Sequence, residues 1–501
     1  MKPHFLTTLF LALLLAACRP PISEPSPSQP SATATLPPAS ATATISATHT
    51  LAVTPTLEAS ATPTPPSNAR TSYYLSAKLD NSLHALAVQE QITYTNRADT
   101  PLADLTLVVE PARWPGAFTL TSLAWMDGTP VDYHWNVQRM ILDLPQPLAR
   151  GGTVSLALAY TLAIPPIPTD AGRPVPFGYT LRQTNLVDWY PYIPPYDTAW
   201  LANDPGYFGE HQVYEIADFV VDVQIDTPPP GLVLAASAAA RETSTGYRYE
   251  LTAGRDFAIS AGRYEVITAT QSLPDGRALT VAHYGSPFVA AMAPQVLSDT
   301  MRAVQVFSDL FVPYPHDSLS VVQADFLDGM EYDGLFFLSD GFYNTYGGLP
   351  DDYLTAIAVH ETAHQWWYAL IGNDQALEPW LDEALSTYSE VLYYERVYPQ
   401  ALDAWWARRV DFYQPSGVID LPVYRYPGFI PYRNAVYLRG ARFLHDLRHR
   451  VGDEAFFAFL KDYAVQCAQK IAHAEDFFAI LAAHSAADIG DLKQEYFAPQ
   501  P

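Results

Sequence analysis

Residues 359–367 read VHETAHQWW. His360 and His364 are four apart, and on an α-helix such residues share one face with Cβ atoms about 5–6 Å apart. Both imidazoles can therefore address one cation. Glu361 lies about 100° round from His360 and about 60° from His364, so it flanks that face without occupying it. This is the place for a carboxylate that takes a proton from water beside a metal. Ala356, Ile357, Ala363 and Trp367 fall on the same side. That face is expected to be buried, and two buried histidines need polar partners or a metal.

Catalytic zinc usually takes three protein ligands, and two histidines with a glutamate are one accepted set. Glu383 is the candidate third ligand. A straight helix would carry it about 28 Å from His364, so the chain must turn between them. The stretch LIGNDQ (370–375) supplies the turn, with Gly372-Asn373 as a helix-ending signal. EPWLDEALSTYSEVLYYE (378–395) then starts a second helix, with Pro379 near its first turn. Glu390, two turns after Glu383, is placed to orient a ligating histidine through its second ring nitrogen.

Around this centre the texture is mixed. Residues 288–311 have helical spacing, DSLSVVQADF (317–326) and GLFFLSD (334–340) read as strands around a short loop, and helices dominate from Asp351 onward. Before that, HALAVQEQITYTN (84–96), GTVSLALAYTLAI (152–164) and DFVVDVQIDTPPPG (218–231) are short alternating runs bounded by turn residues. They predict an antiparallel β-sandwich or saddle over 71–275, followed by an α+β, mainly helical region over 276–501. The aromatic, proline-rich stretch NLVDWYPYIPPYDTAW (185–200) is expected to pack as a loop.

The first residues, MKPHFLTTLFLALLLAAC, carry Lys2 and then an apolar run from Phe5 to Leu15. This is an export signal, too short to span a bilayer comfortably. Its end, Leu15-Ala16-Ala17-Cys18, resembles the lipobox of bacterial lipoproteins, which implies signal removal after residue 17, lipid on Cys18 and an extracytoplasmic, membrane-anchored protein. Residues 19–70 are Ser, Thr, Pro and Ala with almost no aromatics, a stalk unable to bury a core. Such a stalk reaches roughly 40 Å as a coil and up to about 150 Å if extended. The only other cysteine is Cys467, expected to be a small buried helical residue. A net charge of −25 argues against nucleic acid as a partner.

HExxH, eighteen residues, then Glu383 within WLDEALSTY (380–388) resembles the gluzincin aminopeptidases related to alanyl aminopeptidase and leukotriene hydrolase. DGMEYDG (328–334) is similar to that family's GxMEN exopeptidase motif. AVYLRGARFLHDLR (435–448) is similar to its VYxKGAxxLxxLR helix. The resemblance spans about Ser72 to Pro501 and implies a thermolysin-like catalytic domain with one zinc ion on His360, His364 and Glu383. It implies Glu361 as general base and Tyr437 as hydrogen-bond donor to the oxyanion. Glu331 would hold the free α-ammonium of a peptide, with Gly329 and Met330 along its backbone.

Three departures stand out. Asp328 replaces the usual glycine, which narrows or recharges the primary pocket. Ala384 replaces the glycine after the third ligand. DWYPYIPPYD stands where the family carries the β-domain motif that helps bind the amine, so no residue of the β half is assigned to that task. The chain after Glu383 has room only for helices completing the catalytic half, and a more open cleft is expected. Two other functions compete with the aminopeptidase: a zinc endopeptidase on the same scaffold, and a surface binding lipoprotein whose peptidase half is inactive.

Overall fold

Thr71–Asp80 and Ala217–Asp226 lie side by side and run the same way at the centre of a seven-stranded sheet. The computed structural model describes residues 70–168 and 173–499. The expected export signal, Cys18 and the stalk fall outside the described residues. Every other pairing in this sheet is antiparallel, so the sheet departs from the expected pattern at one place. The chain leaves Asp80 through a hairpin and returns only after a long excursion, and such a return permits parallel pairing. Alternation places Tyr73, Leu75, Ala77 and Leu79 on the buried face, opposite Leu86, Val88 and Ile92 of the next strand. A three-stranded sheet and a four-stranded sheet complete the β half, and the aromatic loop fills the space between elements: Trp189, Tyr190, Tyr192 and Ile193 are all buried.

The helical half has its own five-stranded sheet, in the order Glu265–Ser272, Ala278–Gly285, Ser318–Ala324, Leu335–Ser339, Gly329–Tyr332. Its first hairpin straddles residue 275, so this sheet begins earlier in the chain than the helical texture suggests. Gly329–Tyr332, read from sequence as loop, is the edge strand. The register pairs Tyr332 with Leu335 and leaves Asp333-Gly334 as a two-residue turn, with Gly334 at φ 73°. Asp-Gly is the sequence such a hairpin turn favours.

Helix Tyr353–His364 is buried on all its faces from Leu354 onward, rather than on one. It widens into a π-helical turn, Gln365–Leu370, and stops there. The free carbonyls at this end need donors. Arg255, from the β half, supplies them: it donates to Ala369 O (3.2 Å), Leu370 O and Lys470 O (each 3.3 Å) and Tyr214 O (2.8 Å). Gly372 makes room for that guanidinium, since a Cβ there would stand 2.7 Å from it. The chain then reverses, and helix Trp380–Val397 follows Pro379. Cys467 is buried just past the end of helix Asp453–Gln466. Among the described residues no helix is long and apolar enough to cross a membrane.

Candidate active site

The reversal after Leu370 brings Glu383 back to the two imidazoles. Glu383 Oε2 lies 3.2 Å from His360 Nε2 and 3.6 Å from His364 Nε2, and the two Nε2 atoms are 3.1 Å apart. The other ring nitrogens face carboxylates: His360 Nδ1 meets Glu390 Oε1 at 3.0 Å and His364 Nδ1 meets Asp382 Oδ1 at 2.6 Å. A carboxylate fixes a proton on each Nδ1, which leaves the converging Nε2 atoms as lone-pair donors. Three electron-rich atoms so close together, all buried, repel one another unless a cation sits among them. Ligand atoms 2.0–2.1 Å from a tetrahedral zinc stand about 3.3 Å from each other, which matches these separations. The residues present fit zinc.

Electrostatics follow the same contacts. Burial lowers the pKa of His364, whereas at His360 the neighbouring Glu383 and Glu390 outweigh burial and raise it. Burial pushes Glu383 up, but the neighbouring His360 and His364 and the hydrogen bond from Tyr437 overcome it, leaving the carboxyl below its usual value. Tyr437 belongs to a second π-helical turn, Asn434–Arg439. Its hydroxyl donates to Glu383 Oε1 and its ring lies parallel to that of His360, centroids 5.9 Å apart.

Glu361 is buried, and among the described residues its Oε2 has no hydrogen-bond partner. Burial pushes its carboxyl well above the usual range, with His360 opposing and Glu331 and Glu383 adding like charge. The edge strand crosses directly over it. A Cβ at Gly329 would fall inside the Glu361 carboxylate, so any larger residue there has to push that carboxylate aside. Gln365 ties that strand to the motif helix: its Nε2 donates to Tyr332 O (3.0 Å) and its Oε1 accepts from Gly334 N (2.9 Å).

Glu331 reaches the same cleft from this strand, with Gln375 Nε2 3.3 Å from its Oε1. Met330 lines the cleft beside it. Burial raises the Glu331 carboxyl well above its usual value; His364 opposes and Glu210 adds repulsion. Glu210, from a β-half loop, is itself pushed up to about 8 by burial and the charges of Glu383 and Asp382. Among the described residues no lysine, arginine or histidine forms an ion pair with either carboxylate.

Sequence reasoning missed Glu210, Asp382, Gln375 and Arg409. Asp382 was findable, since it precedes Glu383 on the helix's first turn and so flanks the same cation. Gln375 joins two of the carboxylates, donating to Asp382 Oδ2 at 2.8 Å. Arg409 holds Glu390, with Nη2 3.0 Å from its Oε1. Glu210 sits in GYFGEHQ (206–212), where no spacing or motif marks it. The segment DWYPYIPPYD contributes chiefly packing, with Asp188 alone of its residues lining the cleft.

Residues 296–496 match the Peptidase family M1 domain. Aminopeptidase M1-B of Oryza sativa subsp. japonica is 27% identical over 220 residues, which is 39% of this chain and 24% of the relative. The chain thus spans about a quarter of the length of that curated relative. The crystal structure of an M1 zinc metallopeptidase from Deinococcus radiodurans superposes with a TM-score of 0.64 at 21% identity, covering 86% of this chain and 94% of that one. A mutant of the Deinococcus protein bound to the peptide Tyr-Ser-Ala gives 0.64 at 21% identity, over 86% and 95%. A two-domain M1 zinc metallopeptidase mutant bound to L-tryptophan gives 0.65 at 21% identity, over 87% and 96%. These likenesses show the two-domain fold.

Proposed function

We infer that this chain, whose residues 296–496 carry a Peptidase family M1 domain, is a zinc aminopeptidase that removes N-terminal residues from peptides. The reading includes lipid on Cys18, which tethers the enzyme to a bacterial membrane outside the cytoplasm. His360, His364 and Glu383 would hold the zinc ion, which when bound supplies Lewis acidity. Glu361 takes a proton from the attacking water and passes it to the leaving amine. Tyr437 donates its O–H to the carbonyl oxygen as charge develops there. The free edge of Gly329–Tyr332 accepts the peptide as an added strand.

One observation carries the choice of an aminopeptidase over an endopeptidase. Glu331 and Glu210 are two repelling carboxylates beside the metal ligands, without an ion-pair partner among the described residues. Burying such charges unpaired is costly, and a substrate ammonium relieves the cost. The test compares free and N-acetylated peptides on the wild type and on Glu331→Ala. The variant should lose about a hundredfold or more in kcat/KM on free-amine substrates and far less on blocked ones. Equal losses on both would leave the endopeptidase as the better reading. The tether rests on the sequence run Leu15-Ala16-Ala17-Cys18 and the stalk behind it. Cys18→Ser should move the protein from the membrane fraction to the soluble fraction.

A further inference from the structure

Asp328 immediately precedes the edge strand and has φ 69°. That left-handed conformation is natural to glycine, and a side chain held there costs roughly 1 kcal/mol or more. The residue lines the cleft that His360, Glu361 and Tyr437 also line. One carboxylate oxygen is 3.1 Å from the N–H of Gly329; Oδ2 has no hydrogen bond or ion pair among the described residues. Asp328 is an exposed residue of that cleft. Yet surrounding protein raises its pKa above the ordinary value. Arg409, whose charge acts on it more than any other cation's, is committed to Glu390.

Position along the strand gives this carboxylate a direction. Glu331, which takes the substrate ammonium in the reading above, is three residues further on, about 10 Å away along an extended strand. Gly329, over Glu361, lies between them. A peptide whose ammonium is at Glu331 has its first peptide bond over Glu361 and its second side chain beyond it, one Cα–Cα step of about 3.8 Å along. A lysine or arginine side chain there spans the remaining gap. We propose that Asp328 selects peptides with a basic residue directly after the cleaved bond, through an ion pair with that residue's side chain. This rests on the aminopeptidase reading.

The test measures kcat/KM for Ala-Arg, Ala-Lys, Ala-Leu, Ala-Glu and Arg-Ala amides on the zinc-loaded wild type, D328N and D328G. Both variants tolerate a left-handed backbone, and D328G is expected to melt no lower than the wild type. The wild type should prefer Ala-Arg to Ala-Glu by at least tenfold, and both variants should bring that ratio near one. A ratio that neither variant moves overturns the inference and leaves the aminopeptidase intact. A change confined to Arg-Ala also overturns it, because Asp328 would then read the first residue. Failure of the wild type to cleave any of these free-amine substrates overturns the aminopeptidase reading and this inference with it.

Discussion

Glu390 Oε1 lies 3.0 Å from His360 Nδ1, and Arg409 and Trp405 hold the same carboxylate from its far side. The histidine is oriented by a group that is itself held on two further sides. Removing the negative charge with Glu390→Gln should weaken zinc affinity by about 10–100-fold, and competition against a chelator would measure it directly.

Gly329 fits over Glu361 without displacing its carboxylate, and a residue with a Cβ does not. Gly329→Ala must displace either the edge strand or the Glu361 carboxylate. A misplacement of about 1 Å near the reacting atoms costs on the order of a hundredfold in rate. The expected result is a fall in kcat of that size with zinc content unchanged, read with a fluorogenic aminoacyl amide.

The helix carrying Tyr437 approaches the helix carrying Glu383 through a second glycine. A Cβ on Gly440 would stand 2.5 Å from the Cβ of Ala384. Overpacking of this kind costs about 1–3 kcal/mol. Gly440→Ala should lower Tm by several degrees and, because Ala384 adjoins Glu383, reduce activity at temperatures where the protein remains folded.

Asp188 offers a pH test away from the metal ligands. Burial and the charge of Glu110 push its carboxyl up to about 6, although the Tyr214 hydroxyl donates to it. The folded value is above the unfolded one, near 3.8. Its contribution to stability is therefore fully present below about pH 4 and lost as pH rises through about 6. Asp188→Asn keeps an acceptor for Tyr214 and tolerates the residue's φ of 50°. The variant should melt higher than the wild type at pH 8 and show little difference at pH 4, by calorimetry or circular dichroism.

The parts of the site legible in the sequence are those set by local spacing. His360, His364 and Glu361 follow from one helix, and Glu383 and Glu390 follow once Gly372 and Pro379 require a reversal. The edge strand was not recognised because DGMEYDG is too short to show alternation, although Asp333-Gly334 marks its turn. Glu210 and Arg409 were illegible for a different reason. Each reaches the site from an element distant in sequence, and nothing in the residues around them records the approach. The complete burial of helix Tyr353–His364 was equally hidden, because alanine, threonine and histidine on its outer faces read as tolerant of solvent until the surrounding helices are placed.

Gln365 binds Tyr332 O and Gly334 N with a single amide, one residue beyond the second histidine. The spacing between Glu331 on the edge strand and Glu361 on the motif helix is thus held by one buried side chain. On the aminopeptidase reading proposed above, that spacing is a ruler one residue long, and shortening Gln365 would blur its graduation before it dulled its blade.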